Sequence, residues 1–115
     1  RQRQMCIRDS YEAPIDAMSG ATLRQYKHDA PWRSVHYLAL GGLNHQPIDY
    51  FLQQHPEVRY VSLCFDRDDP GRNFTKIVAK RLAERGYIVQ DTPPAIGKDY
   101  NDYLLAARRL ISMER

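Results

Sequence analysis

Val58-Arg59-Tyr60-Val61-Ser62-Leu63-Cys64-Phe65-Asp66-Arg67-Asp68-Asp69-Pro70-Gly71-Arg72 is the stretch on which the fold turns. Its first part, Tyr60 to Phe65, is an apolar run of strand length, rich in aromatic and β-branched residues. It stops at Asp66, Asp68 and Asp69 and then at the turn pair Pro70-Gly71. Side chains two apart on an extended chain point the same way, so Asp66 and Asp68 share a side. Two carboxylates held that close repel, and one keeps its proton unless a cation lies between them. Hard oxygen donors of this kind suit Mg²⁺, which takes one or two carboxylates together with substrate phosphates. The alternative is a strand end whose solvated acids form an Asx-turn and hold nothing.

Outward from this stretch, the chain alternates. Pro14 suits a first-turn position, and a helix is expected from there to about His28, with Asp16 in its first turn and Asp29-Ala30-Pro31 as its stop. On those terms Glu12 and Asp16 are ordinary helix-start residues. Ser34 to Leu40 is a second buried strand, and Gly41-Gly42 after it permits a tight turn or a close backbone approach. Gln46-Pro47 opens a helix with Ile48, Phe51 and Leu52 on one face, closing near His55-Pro56. Beyond Pro70-Gly71, Asn73 is the expected N-cap of a third helix, whose apolar stripe is Phe74, Ile77, Val78 and Leu82 and whose stop is Gly86. Tyr87-Ile88-Val89 is a short strand. A loop at 96–101 then leads into a last helix, with Asp99 and Asn101 as cap residues.

Such alternation argues an α/β fold, a mainly parallel sheet covered on both faces by helices. Ligands of these sheets gather at the carboxyl ends of the strands. Glu12, Gly41-Gly42, Asp66, Asp68 and the 97–101 loop all fall at that edge, provided a strand precedes Glu12. The residues in that place are Arg1 to Ser10, which show no periodicity and no capping signal. They read as a non-native leader or artefact, with Met5-Cys6-Ile7 a poor strand. The first strand is therefore expected to be missing or replaced, and residues 11–115 to be one domain taken from a longer parent protein.

A length of 115 residues suffices for one hydrophobic core. No stretch approaches the ~18–20 apolar residues that span a bilayer, and no apolar leader segment is present. No membrane partner is expected. The two cysteines, Cys6 and Cys64, form neither a disulfide framework nor a zinc site, so a cytoplasmic setting is expected. The formal charge is +3, but without Arg1 to Ser10 fourteen basic residues face thirteen acidic ones. Charge alone thus gives little support to nucleic-acid binding.

Other chemistries lack their residues. Gly97-Lys98 is no Walker loop, because Thr92 stands where its first glycine belongs. His28, His36, His45 and His55 have no ligand spacing, and no serine sits in a G-x-S-x-G elbow. Tyr100 and Tyr103 are better read as packing residues than as base-stacking platforms.

Taken together, the motifs resemble a Toprim domain, the module shared by bacterial primases, type IA and type II topoisomerases and OLD-family nucleases. The likeness covers about residues 11–105. Glu12-Ala13-Pro14-Ile15-Asp16-Ala17 resembles the family's glutamate motif, and Leu40-Gly41-Gly42 its glycine turn. Phe65-Asp66-Arg67-Asp68-Asp69-Pro70-Gly71-Arg72 resembles its D-x-D motif. Gly97-Lys98-Asp99-Tyr100-Asn101-Asp102-Tyr103-Leu104 is similar to the K-D-x-N-D-x-L ending of mobile-element and plasmid members and to the primase K-D-P-D segment. The chain departs in having Ala13 for a glycine and Pro70 for a small residue.

The resemblance implies a compact, Rossmann-like sheet of about four parallel strands and phosphoryl or nucleotidyl transfer on DNA, primase-like in kind. Asp66 and Asp68 would hold Mg²⁺ or Mn²⁺, with Asp16 and Asp99 at a second metal position. Glu12 would act as general acid/base or as a further metal ligand. Arg67, Arg72, Lys76, Lys98, Gly41 and Gly42 are the candidates for contacting phosphate. DNA, RNA primers, nucleotides and other domains of the parent are the expected partners. A non-catalytic binding module of the same fold, a topoisomerase or OLD-type nuclease activity, and a haloacid-dehalogenase-like phosphatase or nucleotide-sugar transferase are the competing readings. The phosphatase wants its aspartate on the first strand, which ranks it last.

Overall fold

From Val61 to Phe65 every residue is buried, but successive side chains enter opposite faces of the sheet, and this sorts the molecule into layers. The computed structural model describes residues 7–27 and 36–113. Its elements run β1 (Ile7–Tyr11), α1 (Pro14–Lys27), β2 (His36–Ala39), α2 (Gln46–Gln54), β3 (Tyr60–Leu63), α3 (Asp69–Glu84), β4 (Ile88–Asp91) and α4 (Tyr100–Met113). Val61, Leu63 and Phe65 join Ile48 and Leu52 of α2 and Phe74, Val78 and Leu82 of α3 in one buried cluster. Cys64 faces the other way, into a cluster with Tyr11, Ala17, Leu23 and Tyr100. Each fully buried aliphatic or Phe side chain contributes about 1.5–3 kcal/mol relative to exposure. Helices thus cover both faces, α2 and α3 on one and α1 and α4 on the other.

All four strands are parallel, in the order β2-β1-β3-β4. The chain winds from β1 outward to β2, then returns across to β3 and on to β4. Between β1 and β3 the direction of winding reverses, and the carboxyl ends of those two strands flank the crevice where such folds bind ligands.

The strand expected to be missing or replaced is present, and it is central. β1 pairs with β2 from Arg8↔His36 to Tyr11↔Ala39 and with β3 from Ile7↔Tyr60 to Ser10↔Leu63. Four of its five residues come from the stretch set aside as a leader; residues 1–6, including Met5 and Cys6, lie outside those described. The segment was hard to recognise because Asp9 and Ser10 are polar yet buried, Asp9 to 1%. Asp9 is neutralised by Arg24 of α1, with Nη2 3.0 Å from Oδ2 and Nε donating to Oδ2 at 3.1 Å. The Tyr11 hydroxyl also donates to it, at 3.3 Å. A buried carboxylate is tolerable only when paired and hydrogen-bonded in this way.

Two helix starts also differ from expectation. α3 begins at Asp69, capped by Asp68 rather than Asn73, which lies within the helix. Pro70 explains the early start, since its fixed φ and missing N–H suit a first helical turn. In α4 the Asp99 carboxylate caps by accepting from Asp102 N–H at 2.8 Å, and Asp102 Oδ2 returns a bond to Lys98 N–H at 3.1 Å. That is a close variant of the capping box. Asn101 is in the first turn instead. Strand β4 runs through Asp91, two residues past the expected Val89. No helix among the described residues is long and apolar enough to cross a membrane.

Candidate metal centre

Glu12 leaves the carboxyl end of β1 and is held from two sides. Its backbone carbonyl accepts from Gly41 N–H at 2.9 Å and Gly42 N–H at 3.1 Å, and its side-chain Oε2 accepts from Asp66 N–H at 3.0 Å. Gly41 and Gly42 have φ of 75° and 140°, which side chains rarely adopt, and a Cβ on either would meet nothing within 4 Å. The glycines are therefore required by backbone conformation, and that conformation aims both amides at Glu12. Their amides serve the glutamate's backbone.

Asp66 and Asp68 follow β3 across the switch point. Asp68 is extended and its Oδ1 accepts from Gly71 N–H at 2.8 Å, capping α3. One ligand atom from each of Glu12, Asp66 and Asp68 lies within 4.8 Å of the others, and all three residues are half-buried. Three hard oxygen donors converging in this way match what a small divalent cation takes from protein.

Electrostatics point in the same direction. Burial first, then the negative charges of Glu12, Asp16, Asp68 and Asp99, raise the Asp66 carboxyl from 3.8 to about 7. Without a cation the folded protein therefore holds this proton more tightly than the unfolded chain does. The contribution favours folding at low pH and is lost as pH rises from about 4 through about 7. In EDTA, Asp66 thus makes the melting temperature fall across that window, and Asp66→Asn, which cannot ionise, flattens the slope. Thermal melts at stepped pH check this. Identical slopes for the wild type and Asp66→Asn would contradict the assignment.

Asp16 and Asp99 are not in the group of three. Asp16 is buried between α1 and α4, where its Oδ1 accepts from Asn101 N–H at 3.2 Å. Burial raises its carboxyl above the ordinary range, against the pull of that hydrogen bond, and the charges of Asp99, Glu12 and Asp102 add to the rise. Asp99 has one oxygen committed to capping α4. Both remain near enough to act on Asp66 through their charge.

The candidate phosphate contacts divide. Arg67 ties down the loop before α4, its Nε donating to Pro94 O at 2.6 Å and its N–H to Lys98 O at 2.7 Å. Arg72 lies across the end of β4, with Nη1 2.9 Å from Asp91 Oδ2 and Nη2 donating to Thr75 Oγ1 at 3.2 Å. Lys76 is exposed on α3. Lys98 does reach the triad, its Nζ lying 3.6 Å from Asp68 Oδ2.

Two contributors lay inside the quoted motifs but were not singled out as site residues. Gly71 is the place where a Cβ would run into the Asp66 carbonyl oxygen and sit 2.9 Å from Asp68 Oδ1. Asp102 fixes the Lys98 amide, and its spacing three residues after Asp99 was the available signal.

A family model described as Toprim-like matches residues 11–104. A search of curated proteins gave no match. Toprim domains bind divalent metal, and the Glu12/Asp66/Asp68 triad is compatible with one. The match takes in all three acidic residues, the glycine turn and the lysine loop, and begins at the last residue of β1. With most of its length inside that match, the chain belongs to the Toprim-like family, as a metal-dependent, nucleic-acid-related domain.

Proposed function

We propose that this domain serves Mg²⁺-dependent phosphoryl or nucleotidyl transfer on DNA, primase-like in kind, within a larger protein of mobile-element or plasmid type. The observation that carries the reading is the convergence of Glu12 with Asp66 and Asp68 across the β1/β3 switch point. Glu12, Asp66 and Asp68 hold the divalent ion. The chemistry supplied by that ion is neutralisation of charge on phosphate oxygens and alignment of an in-line displacement. Glu12 Oε2 is occupied by Asp66 N–H, which orients the carboxylate and leaves Oε1 for ligation or for moving a proton.

Anion binding beside the triad has further support. Helices α1, α3 and α4 all start at this edge, and helix N-termini attract phosphate. Lys98 borders the D-x-D turn, and Arg67, within that turn, reaches toward the loop after β4. DNA, RNA primers and nucleotides are the partners this chemistry fits. The preference for a primase-like activity rests on the likeness of residues 97–104 to the lysine-aspartate segment of that group.

Calorimetric titration of Mg²⁺, and separately Mn²⁺, into the protein is expected to give one saturable site. Oligonucleotide extension by the full-length parent should then depend on the same ion. No saturable heat from either ion would end the metal reading. Plasmid relaxation or nicking without extension would replace the primase-like activity by a topoisomerase or nuclease one.

A further inference from the structure

The geometry points to Lys98 as a displaceable counter-ion, occupying the metal-facing oxygen of Asp68 until a divalent cation takes its place and frees it for phosphate. The inference rests on the Mg²⁺ reading of the triad and adds a residue that regulates it.

Asp68 has two oxygens with different duties. Oδ1 accepts the Gly71 N–H and so belongs to the cap of α3. Oδ2 is the less committed oxygen and so the more available to a cation, and it is the one that Lys98 Nζ approaches at 3.6 Å. The ammonium and the metal therefore want the same atom.

The base of Lys98 is fixed while its tip is free to move. Its N–H donates to Asp102 Oδ2 at 3.1 Å and its carbonyl accepts from Arg67 N–H at 2.7 Å. Gly97 before it has φ of 80°, and a Cβ there would sit 2.5 Å from Asp102 Cβ, so the loop follows one path. Arg67 Nε fastens the same loop again, at Pro94 O. The side chain, by contrast, is 60% exposed. A long, solvated ion pair of this kind is worth little and exchanges readily. A flexible four-carbon stem on a fixed base then lets the ammonium turn from carboxylate to phosphate without moving the backbone.

The test is calorimetric Mg²⁺ titration of the wild type, Lys98→Met, Lys98→Gln and Lys98→Arg at low and high salt. It is paired with fluorescence anisotropy of a labelled single-stranded oligonucleotide in saturating Mg²⁺. Removing the competing charge in Lys98→Met and Lys98→Gln is expected to tighten Mg²⁺ binding roughly 2- to 5-fold at low salt, less at high salt. Oligonucleotide affinity in Mg²⁺ should weaken by a similar factor, and Lys98→Arg should stay near wild type in both. The contacts that fix the loop are made by backbone atoms of Lys98, so melting in EDTA should change little. Charge-removal variants that bind Mg²⁺ no tighter, or that bind oligonucleotide as well as the wild type, overturn the counter-ion role. A wild type without a Mg²⁺ site overturns the metal reading itself, a separately visible outcome.

Discussion

Asp68→Asn is expected to abolish measurable Mg²⁺ binding while leaving the fold intact. Asparagine is as good an N-cap as aspartate, so its side-chain oxygen can keep the Gly71 N–H that Oδ1 now accepts. With that oxygen held in place, the amide NH₂ must stand where Oδ2 stood, presenting a donor to a cation that needs an acceptor. The loss should exceed the roughly 10- to 100-fold typical of disturbing an outer-shell partner of a metal. Asp68→Ala makes the comparison complete. It loses cap and ligand together, and should cost about 1 kcal/mol of stability in addition to the metal. Calorimetry and EDTA melts on the pair separate the two duties. Wild-type affinity in Asp68→Asn would remove Asp68 from the site.

The double use of Asp68 also shows where the sequence was legible. A strand ending in D-x-D and a glycine pair after another strand are local patterns, and each lies at the carboxyl edge expected for it, whereas the glutamate follows a strand that was expected to be missing. What stayed hidden depends on partners far away in the chain. β1 looked foreign because Asp9 and Ser10 contradict a strand core, and it is the charge of Arg24, fifteen residues on, that helps make Asp9 acceptable there. Asn73 looked like a cap because it is a good one, whereas Asp68 does that work one turn earlier, behind a proline. Gly41-Gly42 suggested amides for phosphate, and folding spends those amides on the carbonyl of Glu12. Composition could not separate Lys98 from the chain's other cations either. Its place beside Asp68 comes from a loop fastened by Arg67 and Asp102.

Gly71→Ala gives the second large effect, and its sign is diagnostic. In the first turn of an ordinary helix, alanine in place of glycine is favoured by up to about 1 kcal/mol. Here the added methyl would run into the Asp66 carbonyl oxygen, with the Asp66 carbonyl carbon 3.0 Å away and Asp68 Oδ1 at 2.9 Å. Those atoms belong to the turn that presents both aspartates, and Asp66 N–H is the group that orients Glu12. Relieving the clash moves the backbone of the whole triad, so overpacking of about 1–3 kcal/mol should outweigh the helix gain. The expected result is a clear drop in melting temperature, with Mg²⁺ binding weakened at the same time. Gly86→Ala is the control. It too places alanine at a glycine, with φ of 94°, but a Cβ there meets nothing within 4 Å. Its cost should be that of the left-handed backbone alone, about 1–2 kcal/mol, with Mg²⁺ affinity unchanged. If Gly71→Ala is as stable as the wild type, the turn has slack that this packing denies. If it is destabilised yet binds Mg²⁺ normally, the turn supports α3 but does not set the metal site.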